Sequence, residues 1–211
     1  MRLILRTFGE LSVTLGLVLL LFCAYLLWGT SAYTERQQRI LQRQLAEEAA
    51  HPDTEDPDKP LGKVQLGRAL ALLTIPRLGA DYRYAIVEGV DADSLRRGPG
   101  HYPGTAQPGE IGNFVISGHR TTYAAPFNRI DELRTGDDII VDTREKRYVY
   151  EVTQKKVVDP QQLDVIDAVP ERPGVFPHKA VITLTTCHPE YSARERLVVY
   201  GALTTTEDRE V

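Results

Sequence analysis

The chain has 211 residues, 42% of them hydrophobic and 26% charged, which is enough for one folded domain with a core and extra segments at its ends. Its formal net charge of −4, with no basic stripe interleaved with aromatic side chains, argues against nucleic-acid binding. The 13 prolines and 16 glycines indicate many turns and favour a fold rich in β-strands.

An uncharged apolar run covers residues 11–28, with the sequence LSVTLGLVLLLFCAYLLW. As a helix it would be roughly 27 Å long, enough to span the hydrocarbon core of a membrane. Arg2 and Arg6 precede it, which predicts a cytoplasmic tail over residues 1–10 and export of the remaining chain. The alternative is a cleaved signal peptide with small residues at 30–32, but the run is longer than a usual signal core.

The segment after the apolar run is polar. Residues 33–50 consist mainly of residue types with high helix propensity. Residues 51–60, HPDTEDPDKP, hold three prolines and no apolar residue, which predicts a disordered tether. We therefore interpret residues 29–61 as a linker that is partly helical and partly disordered. The folded domain is predicted over residues 62–204, followed by a flexible tail over residues 205–211.

The predicted domain is dominated by short strands separated by turns. Runs rich in β-branched and apolar residues predict strands at residues 69–75, 84–87, 113–119, 138–141, 147–158, 180–186 and 197–203. The polar residues 142–145 between two of these runs indicate a hairpin. Seven or eight strands with little helix indicate a single closed barrel or a sandwich.

Three segments between the strands have other patterns. Residues 98–109, GPGHYPGTAQPG, are rich in turn formers and predict a long surface loop. Phe127, Ile130 and Leu133 have the spacing of one face of a short helix. Residues 160–179 include several prolines and predict an irregular segment.

Cys187 directly follows the predicted strand at 180–186 and precedes His188 and Pro189. Because proline ends a strand, the thiol is predicted at a strand terminus that opens onto a loop, where catalytic groups are commonly held. Cys23 lies in the apolar N-terminal run and is poorly placed for a disulfide, which leaves Cys187 as a lone thiol in a chain predicted to be exported. The alternative is a buried cysteine that packs as a small hydrophobe.

His119 and Arg196 complete a candidate catalytic set at predicted strand ends. Histidine is the usual acid–base partner of a nucleophilic thiol, and His119 ends a strand next to a glycine. Arg196 enters the last strand and could bind a developing oxyanion, because arginine stays charged. Arg194 shares its strand parity, so spacing alone leaves both arginines open. The alternatives are an exposed or hydrogen-bonded loop histidine and a solvated arginine.

Three motifs in these segments resemble those of sortases. Residues 183–187, TLTTC, look like the TLxTC signature of that family, and Arg196, nine residues after the cysteine, resembles its arginine. Residues 117–121, SGHRT, resemble the family's motif around its histidine. The motifs have the order and spacing of the family, and the similarity extends over roughly residues 64–203. The stretch 101–133 looks most like class E sortases of actinobacteria.

The resemblance implies a mostly β fold, an eight-stranded sortase-type β-barrel with short helices, preceded here by one N-terminal transmembrane helix. It implies an extracytoplasmic cysteine transpeptidase anchored in the cell membrane, with His119, Cys187 and Arg196 as catalytic residues. Such an enzyme cleaves an LAxTG or LPxTG sorting signal between Thr and Gly through a thioester on Cys187. It then transfers the secreted protein to an amine of a peptidoglycan precursor or of a pilin lysine. No cofactor is implied.

The resemblance also suggests Thr122, Tyr123 and Thr186 as substrate-binding positions. In class E a tyrosine shortly after the histidine is linked to a preference for LAxTG over LPxTG, and Tyr123 is the matching position. Thr186 could contact the substrate or the oxyanion, or it could pair with its strand neighbours, and both interpretations stay open. The chain departs from the family at Ala124, where glycine is frequent.

Two other functional classes stay open, a membrane-tethered barrel that binds wall components without catalysis and a cysteine peptidase that only hydrolyses. His188 is a poor partner for the thiol because adjacent strand residues point to opposite faces, and His101 could line the cleft. Cys187, His188 and Glu190 form one cluster of metal-ligating types, but it lacks a further close pair, so we predict no metal site. The absence of a phosphate-binding glycine loop argues against nucleotide use.

Overall fold

The computed structural model of the chain describes residues 2–25, 29–50 and 67–209. The predicted tether at residues 51–60 and the predicted domain start at Gly62 lie outside the described residues. The described parts form two N-terminal helices and a β-barrel with further short helical segments.

Helix α1, Arg2–Ala24, contains most of the predicted membrane span. Its stretch Arg6–Ala24 is long and apolar enough to cross a membrane by length and composition, and none of that stretch is buried against the rest of the chain. Residues 26–28, the last of the predicted span, lie outside the described residues. The protein therefore has one candidate membrane helix in the part of the chain that the structure describes.

Eight strands build the barrel in the described region: β1 Ala69–Thr74, β2 Arg83–Glu88, β3 Gly100–His101, β4 Gly112–Ser117, β5 Asp138–Asp142, β6 Lys146–Val158, β7 Ala180–His188 and β8 Glu195–Asp208. They pair in the order β1-β2-β3-β4-β7-β8-β6-β5, and β5 pairs with β1 to close the ring. The β2–β3 and β4–β7 pairs are parallel. This closed barrel confirms the predicted eight-stranded fold.

The core lies inside the barrel, where alternate strand residues point inward. On strands β4, β7 and β8, the core residues with little or no exposed surface are Phe114, Ile116, Ile182, Leu184, Leu197 and Val199. Phe127, Ile130 and Leu133 join the same core, and a short 3-10 helix, Ile130–Glu132, forms among them. The three residues share the core, but only Ile130 lies within the helical segment, so the predicted helix is confirmed only in part.

Several strand boundaries differ from the predicted ones. The predicted surface loop at 98–109 contains strand β3, Gly100–His101, which is buried. Strand β7 continues through Cys187 to His188 because it keeps its pairing with β8 to that point. Strand β8 extends to Asp208, into the predicted flexible tail, because its last residues pair with β6. The hairpin predicted at 142–145 is confirmed by the antiparallel β5–β6 pair.

Helix α2, Thr30–Ala50, packs against the barrel, whereas the sequence predicted a linker in this region. Its Leu41 is fully buried against β1 and β2. The Gln38 side chain accepts a hydrogen bond from the Ala85 N–H at 2.7 Å and donates one to the Ala85 carbonyl at 3.0 Å. Strand β2 pairs with β3 only through Val87 and Glu88, so Ala85 has no partner residue on β3. Gln38 therefore satisfies strand groups that would otherwise be buried without partners.

Helix α3, Ala92–Arg97, lies between β2 and β3 in the chain. Asp91 caps its first turn, because its carboxylate accepts hydrogen bonds from the N–H groups of Asp93 at 3.0 Å and Ser94 at 3.1 Å. The last turn of α3 faces α2, and this contact is important for the site described below.

Candidate active site

Cys187 lies near the end of β7 on the outer face of the barrel. Ile182 and Leu184 of the same strand are buried in the core. Because successive strand residues alternate between faces, Thr183, Thr185 and Cys187 point outward. The thiol is free and only partly buried. It therefore has the accessibility that a nucleophile requires.

Arg196 is the register partner of Cys187 in the antiparallel β7–β8 pair. Directly opposed residues project to the same face, with Cβ atoms about 4.5–5.5 Å apart. Arg196 Nη1 donates hydrogen bonds to the carbonyls of Ala193 and Glu195, both at 3.0 Å. Arg194 lies before the first residue of β8 and is exposed. The register thus places Arg196, and not Arg194, directly opposite Cys187.

His119 follows β4, whose parallel pairing with β7 aligns Ser117 with Thr185. The Gly118 N–H donates to the Thr185 carbonyl at 3.1 Å, which continues the ladder past the end of β4. Beyond the end of β4, this register would align His119, two residues after Ser117, with Cys187, two residues after Thr185. The three predicted catalytic residues therefore come from the same end of three adjacent strands, β4, β7 and β8.

The backbone before His119 is held tightly at Gly118. Thr186 Oγ1 donates to the Gly118 carbonyl at 2.7 Å. The ring of buried Phe127 packs so closely that a Cβ at position 118 would lie 2.7 Å from it. The Phe127 N–H also donates to the His119 carbonyl at 3.0 Å. Position 118 requires glycine because the Phe127 ring leaves no room for a Cβ. Together these contacts fix the backbone on both sides of His119.

Thr186 and Thr122, two of the three predicted substrate-binding positions, have different environments. Thr186 is 2% exposed and its hydroxyl is engaged with Gly118. This favours the interpretation of Thr186 as a strand threonine that bonds to its neighbours. Thr122 is exposed, and its carbonyl accepts a hydrogen bond from the Ala125 N–H at 2.9 Å.

The environment of His119 disfavours its charged form. The half-buried imidazole lies against the Tyr123 ring, with 5.0 Å between the ring centroids and 38° between the planes. Burial lowers the pKa of His119 below its usual 6.5, and the positive charge of Arg96 lowers this pKa further.

The loop after His119 has an unusual backbone conformation. Tyr123, Ala124 and Ala125 have φ angles of 53°, 59° and 42°, in the left-handed region that favours glycine. This explains why glycine is frequent at the position of Ala124 in the family that the chain resembles. The Tyr84 hydroxyl donates to the Ala124 carbonyl at 3.3 Å and helps to hold the loop.

Arg120, Asn128 and Glu190 were not identified from the sequence, although they link the loops that follow β4 and β7. Asn128 Nδ2 donates to the Arg120 carbonyl at 2.8 Å and to the Glu190 carboxylate at 2.9 Å. Arg120 is 6% exposed and pairs with Asp131 at 3.2 Å. The available sequence signal was the polar character of these residues in and after the two motifs, which does not reveal that they contact one another.

The two other histidines considered from the sequence do not join the site. Arg120 Nη1 lies 3.4 Å from His188 Nδ1, so the ring of His188 turns away from Cys187, as predicted. His101 does not line the cleft, because it is fully buried and its Nδ1 lies 2.7 Å from the Glu88 carboxylate. Among the described residues, no group of three or more His, Cys, Asp or Glu could hold a metal ion.

The irregular segment between β6 and β7 is attached to the outer face of β4. Asn113 Nδ2 donates to the carbonyls of Val165 at 3.2 Å and Asp167 at 3.0 Å. The Asn113 Oδ1 accepts from the Thr183 hydroxyl at 2.7 Å. This segment is thereby connected to the strand that carries Cys187.

Comparison with known families agrees with this geometry. The sortase domain family matches residues 73–204, more than half of the chain. The chain belongs to the sortase family. Sortases are cysteine transpeptidases, and a free, accessible cysteine opposite an arginine on a closed barrel is what this chemistry needs.

The most similar sortases include class E enzymes. Sortase SrtE1 of Streptomyces coelicolor is 35% identical over 206 residues, which cover 94% of this chain and 56% of SrtE1. The chain thus spans little more than half of that relative. The crystal structure of Sortase E1 from Streptomyces coelicolor with a tripeptide in the active site has a TM-score of 0.62 and 38% identity, covering 70% of this chain and 94% of that one.

A sortase from another organism has a similar fold. The SrtF sortase from Corynebacterium diphtheriae superposes with a TM-score of 0.69 at 32% identity, covering 75% of this chain and 95% of that one. These similarities confirm the sortase resemblance, including its class E character, and the sortase-type barrel.

Proposed function

We propose that this sortase is a membrane-anchored transpeptidase that cleaves LAxTG or LPxTG sorting signals between Thr and Gly. The observation that carries the proposal is the cross-strand pairing of Cys187 with Arg196, next to the strand end that bears His119. A thiol, a fixed cation and a half-buried imidazole on adjacent strand ends suit acyl transfer through a thioester.

In the first step the Cys187 thiolate attacks the Thr carbonyl carbon of the sorting signal. Arg196 lies on the same face as the thiol and stabilises the negative charge that develops on the carbonyl oxygen. The C–N bond to Gly breaks as His119, in its imidazolium form, gives its proton to the leaving amine. The products are a thioester between Cys187 and Thr and a neutral imidazole.

In the second step an amine attacks the thioester carbonyl. The neutral His119 takes a proton from this amine, and the Cys187 thiolate leaves as the new amide forms. The acceptor in this proposal is an amine of a peptidoglycan precursor or a pilin lysine. Burial and Arg96 lower the pKa of His119, which makes its imidazolium a stronger acid toward the leaving amine of the first step.

The signal preference is proposed to lie in the loop after His119. Tyr123 lies against the His119 ring, within the loop whose three residues have positive φ. A bulky, oriented ring next to the acid–base group is in a position to contact the bound signal, in which the position that distinguishes LAxTG from LPxTG lies two residues before the Thr of the scissile bond. On this basis Tyr123 is the residue that favours LAxTG over LPxTG, and Thr122 is a neighbouring contact.

The proposed location is the cell membrane, with residues 11–28, most of them in α1, as a single span. Residues 1–10 would form the cytoplasmic tail and the barrel would lie on the extracytoplasmic side. The unburied apolar stretch Arg6–Ala24 supports an anchor. A signal peptide cleaved near residues 30–32 would remove the anchor, so N-terminal sequencing of the protein from membranes distinguishes the two alternatives.

The function is tested by incubating the full chain with an LAxTG peptide, or with an LPxTG peptide that differs only at the second position. Diglycine serves as the acceptor amine. We expect a peptide–diglycine adduct, with kcat/KM about tenfold higher for LAxTG, and a smaller ratio in Tyr123→Leu. Mass spectrometry identifies the adduct. Hydrolysis without adduct would indicate a peptidase, and binding without cleavage would indicate a wall-binding module.

A second expectation concerns the cation beside the thiol. Replacing Arg196 by alanine should lower kcat for peptide cleavage by about 10²–10³-fold, because an oxyanion donor of this kind contributes that much. The matched control is Arg194→Ala, which removes an exposed arginine two residues earlier. Steady-state kinetics on both variants check the assignment. Equal losses in the two variants would contradict the selection of Arg196 by the strand register.

A further inference from the structure

Helix α2 holds the C-terminal end of α3. The Thr34 hydroxyl donates to the Arg96 carbonyl at 2.7 Å. The Gln38 amide donates to the Arg97 carbonyl at 2.8 Å. These acceptors are the last two residues of α3, where helix carbonyls have no partner inside the helix. The helix that follows the membrane span thus determines the position of this end of α3.

The Arg96 side chain extends from this end of α3 to the loop after His119. Its Cζ lies 5.9 Å from the centroid of the Tyr123 ring, within the range of a cation–π contact. The Tyr123 ring in turn lies 5.0 Å from the His119 ring. Asp93 binds Arg96 Nη1 at 3.0 Å and restricts the guanidinium. A continuous set of contacts therefore runs from α2 to the imidazole.

We propose that Arg96 is a positioning residue for His119, acting through the Tyr123 ring, and that α2 holds Arg96 in place for this role. The proposal rests on the proposed function only in treating His119 as the acid–base group. Because the guanidinium restricts the tyrosine ring, it also restricts the imidazole that packs on that ring. A cation at this place additionally disfavours a second positive charge on His119.

The electrostatic contribution of Arg96 is separable from that of the other groups near the imidazole. The titratable or charged groups that contact or act on His119 in the described residues are Tyr123 on its own loop and Arg96 on α3. Burial lowers the pKa of His119 most, and Arg96 lowers it further. The side chain of Arg96 is 48% exposed, so salt should screen its effect but not that of burial.

The test is a pH titration of the His119 Cε1–H resonance in the full chain, embedded in lipid nanodiscs and labelled at histidine. A Cys187→Ala background removes the coupled titration of the thiol. We expect Arg96→Gln to move the titration of His119 to higher pH, because the removed positive charge no longer opposes protonation. Arg96→Lys should stay close to the parent, and 1 M salt should reduce the difference between Arg96→Gln and the parent.

Two further variants separate the part played by α2. Thr34→Val removes the hydroxyl that binds the Arg96 carbonyl and should move the titration in the same direction by a smaller amount. The control Arg43→Gln removes an exposed positive charge elsewhere on α2 and should leave the titration unchanged. An unchanged titration in Arg96→Gln would overturn the proposal, and an unchanged titration in Thr34→Val would overturn the role of α2.

This readout does not depend on catalysis. Failure of every peptide to be cleaved would contradict the proposed function and leave the titration of His119 to decide the role of Arg96. In the active protein, the acid limb of the pH profile of kcat/KM should move to higher pH in Arg96→Gln. A loss of activity with an unchanged pH profile would reduce Arg96 to a structural residue and overturn the proposal.

Discussion

Replacing Cys187 by alanine is expected to lower kcat/KM for cleavage of the sorting-signal peptide by at least about 10⁴-fold. The thioester cannot form without the sulfur, and removing a covalent nucleophile costs most of the rate that an enzyme supplies. Mass spectrometry of the intact protein after mixing with peptide should show the acyl-enzyme in the parent chain and none in the variant. Peptide binding should persist, because the barrel and the loops stay in place.

The chain offers a matched control in its second cysteine. Cys23 lies within α1, in the stretch proposed to span the membrane, and its side chain is exposed rather than packed against the barrel. Cys23→Ala should therefore retain full activity and full acyl-enzyme formation. Retained cleavage in Cys187→Ala, or a comparable loss in Cys23→Ala, would contradict the assignment of the nucleophile.

Replacing His119 by glutamine should produce the second-largest loss, about 10²–10⁴-fold in kcat, the usual contribution of a positioned acid–base group. Glutamine can occupy much of the same space but cannot shuttle a proton. The control is His188→Gln, next to the nucleophile in sequence. His188 faces Arg120 at 3.4 Å on the other face of β7, so its loss should change kcat only slightly. The opposite ranking of these two variants would exclude His119 as the acid–base residue.

The pH profile of the parent chain gives an independent measurement on the same residue. Burial and Arg96 both lower the pKa of His119, so its proton leaves at lower pH than that of a free histidine. The acid limb of the pH profile of kcat/KM should therefore report a pKa of His119 below the usual 6.5. A lower limb at or above 6.5 would contradict this picture of the site.

The barrel was largely predictable because its strands are local patterns. The run at 180–186, rich in β-branched and apolar residues, predicts a strand, and its Ile182 and Leu184 lie in the core. The spacing of Phe127, Ile130 and Leu133 likewise predicted a short buried helical turn. The strand ends were less accurate, since β7 and β8 are extended by hydrogen bonds to partner strands that no local pattern reveals.

The wrong expectation for residues 98–109 has a similar cause. Glycine and proline indicate turns, and this stretch does contain them, but two of its residues pair with both β2 and β4. His101 is consequently fully buried with Glu88 as its partner, rather than lying in a cleft. Turn composition describes the chain locally, whereas burial depends on what the rest of the fold places over it.

The motifs around His119, Cys187 and Arg196 could be recognised in the sequence because each is a short, contiguous run of residues next to a predicted strand end. The choice between Arg194 and Arg196 depended on the β7–β8 register, and the docking of α2 depended on a contact between Gln38 and Ala85, 47 residues apart. The contact of Arg96 with the Tyr123 ring likewise depends on the tertiary structure. These contacts join residues from different elements, and only closing the barrel brings them within hydrogen-bonding or stacking distance.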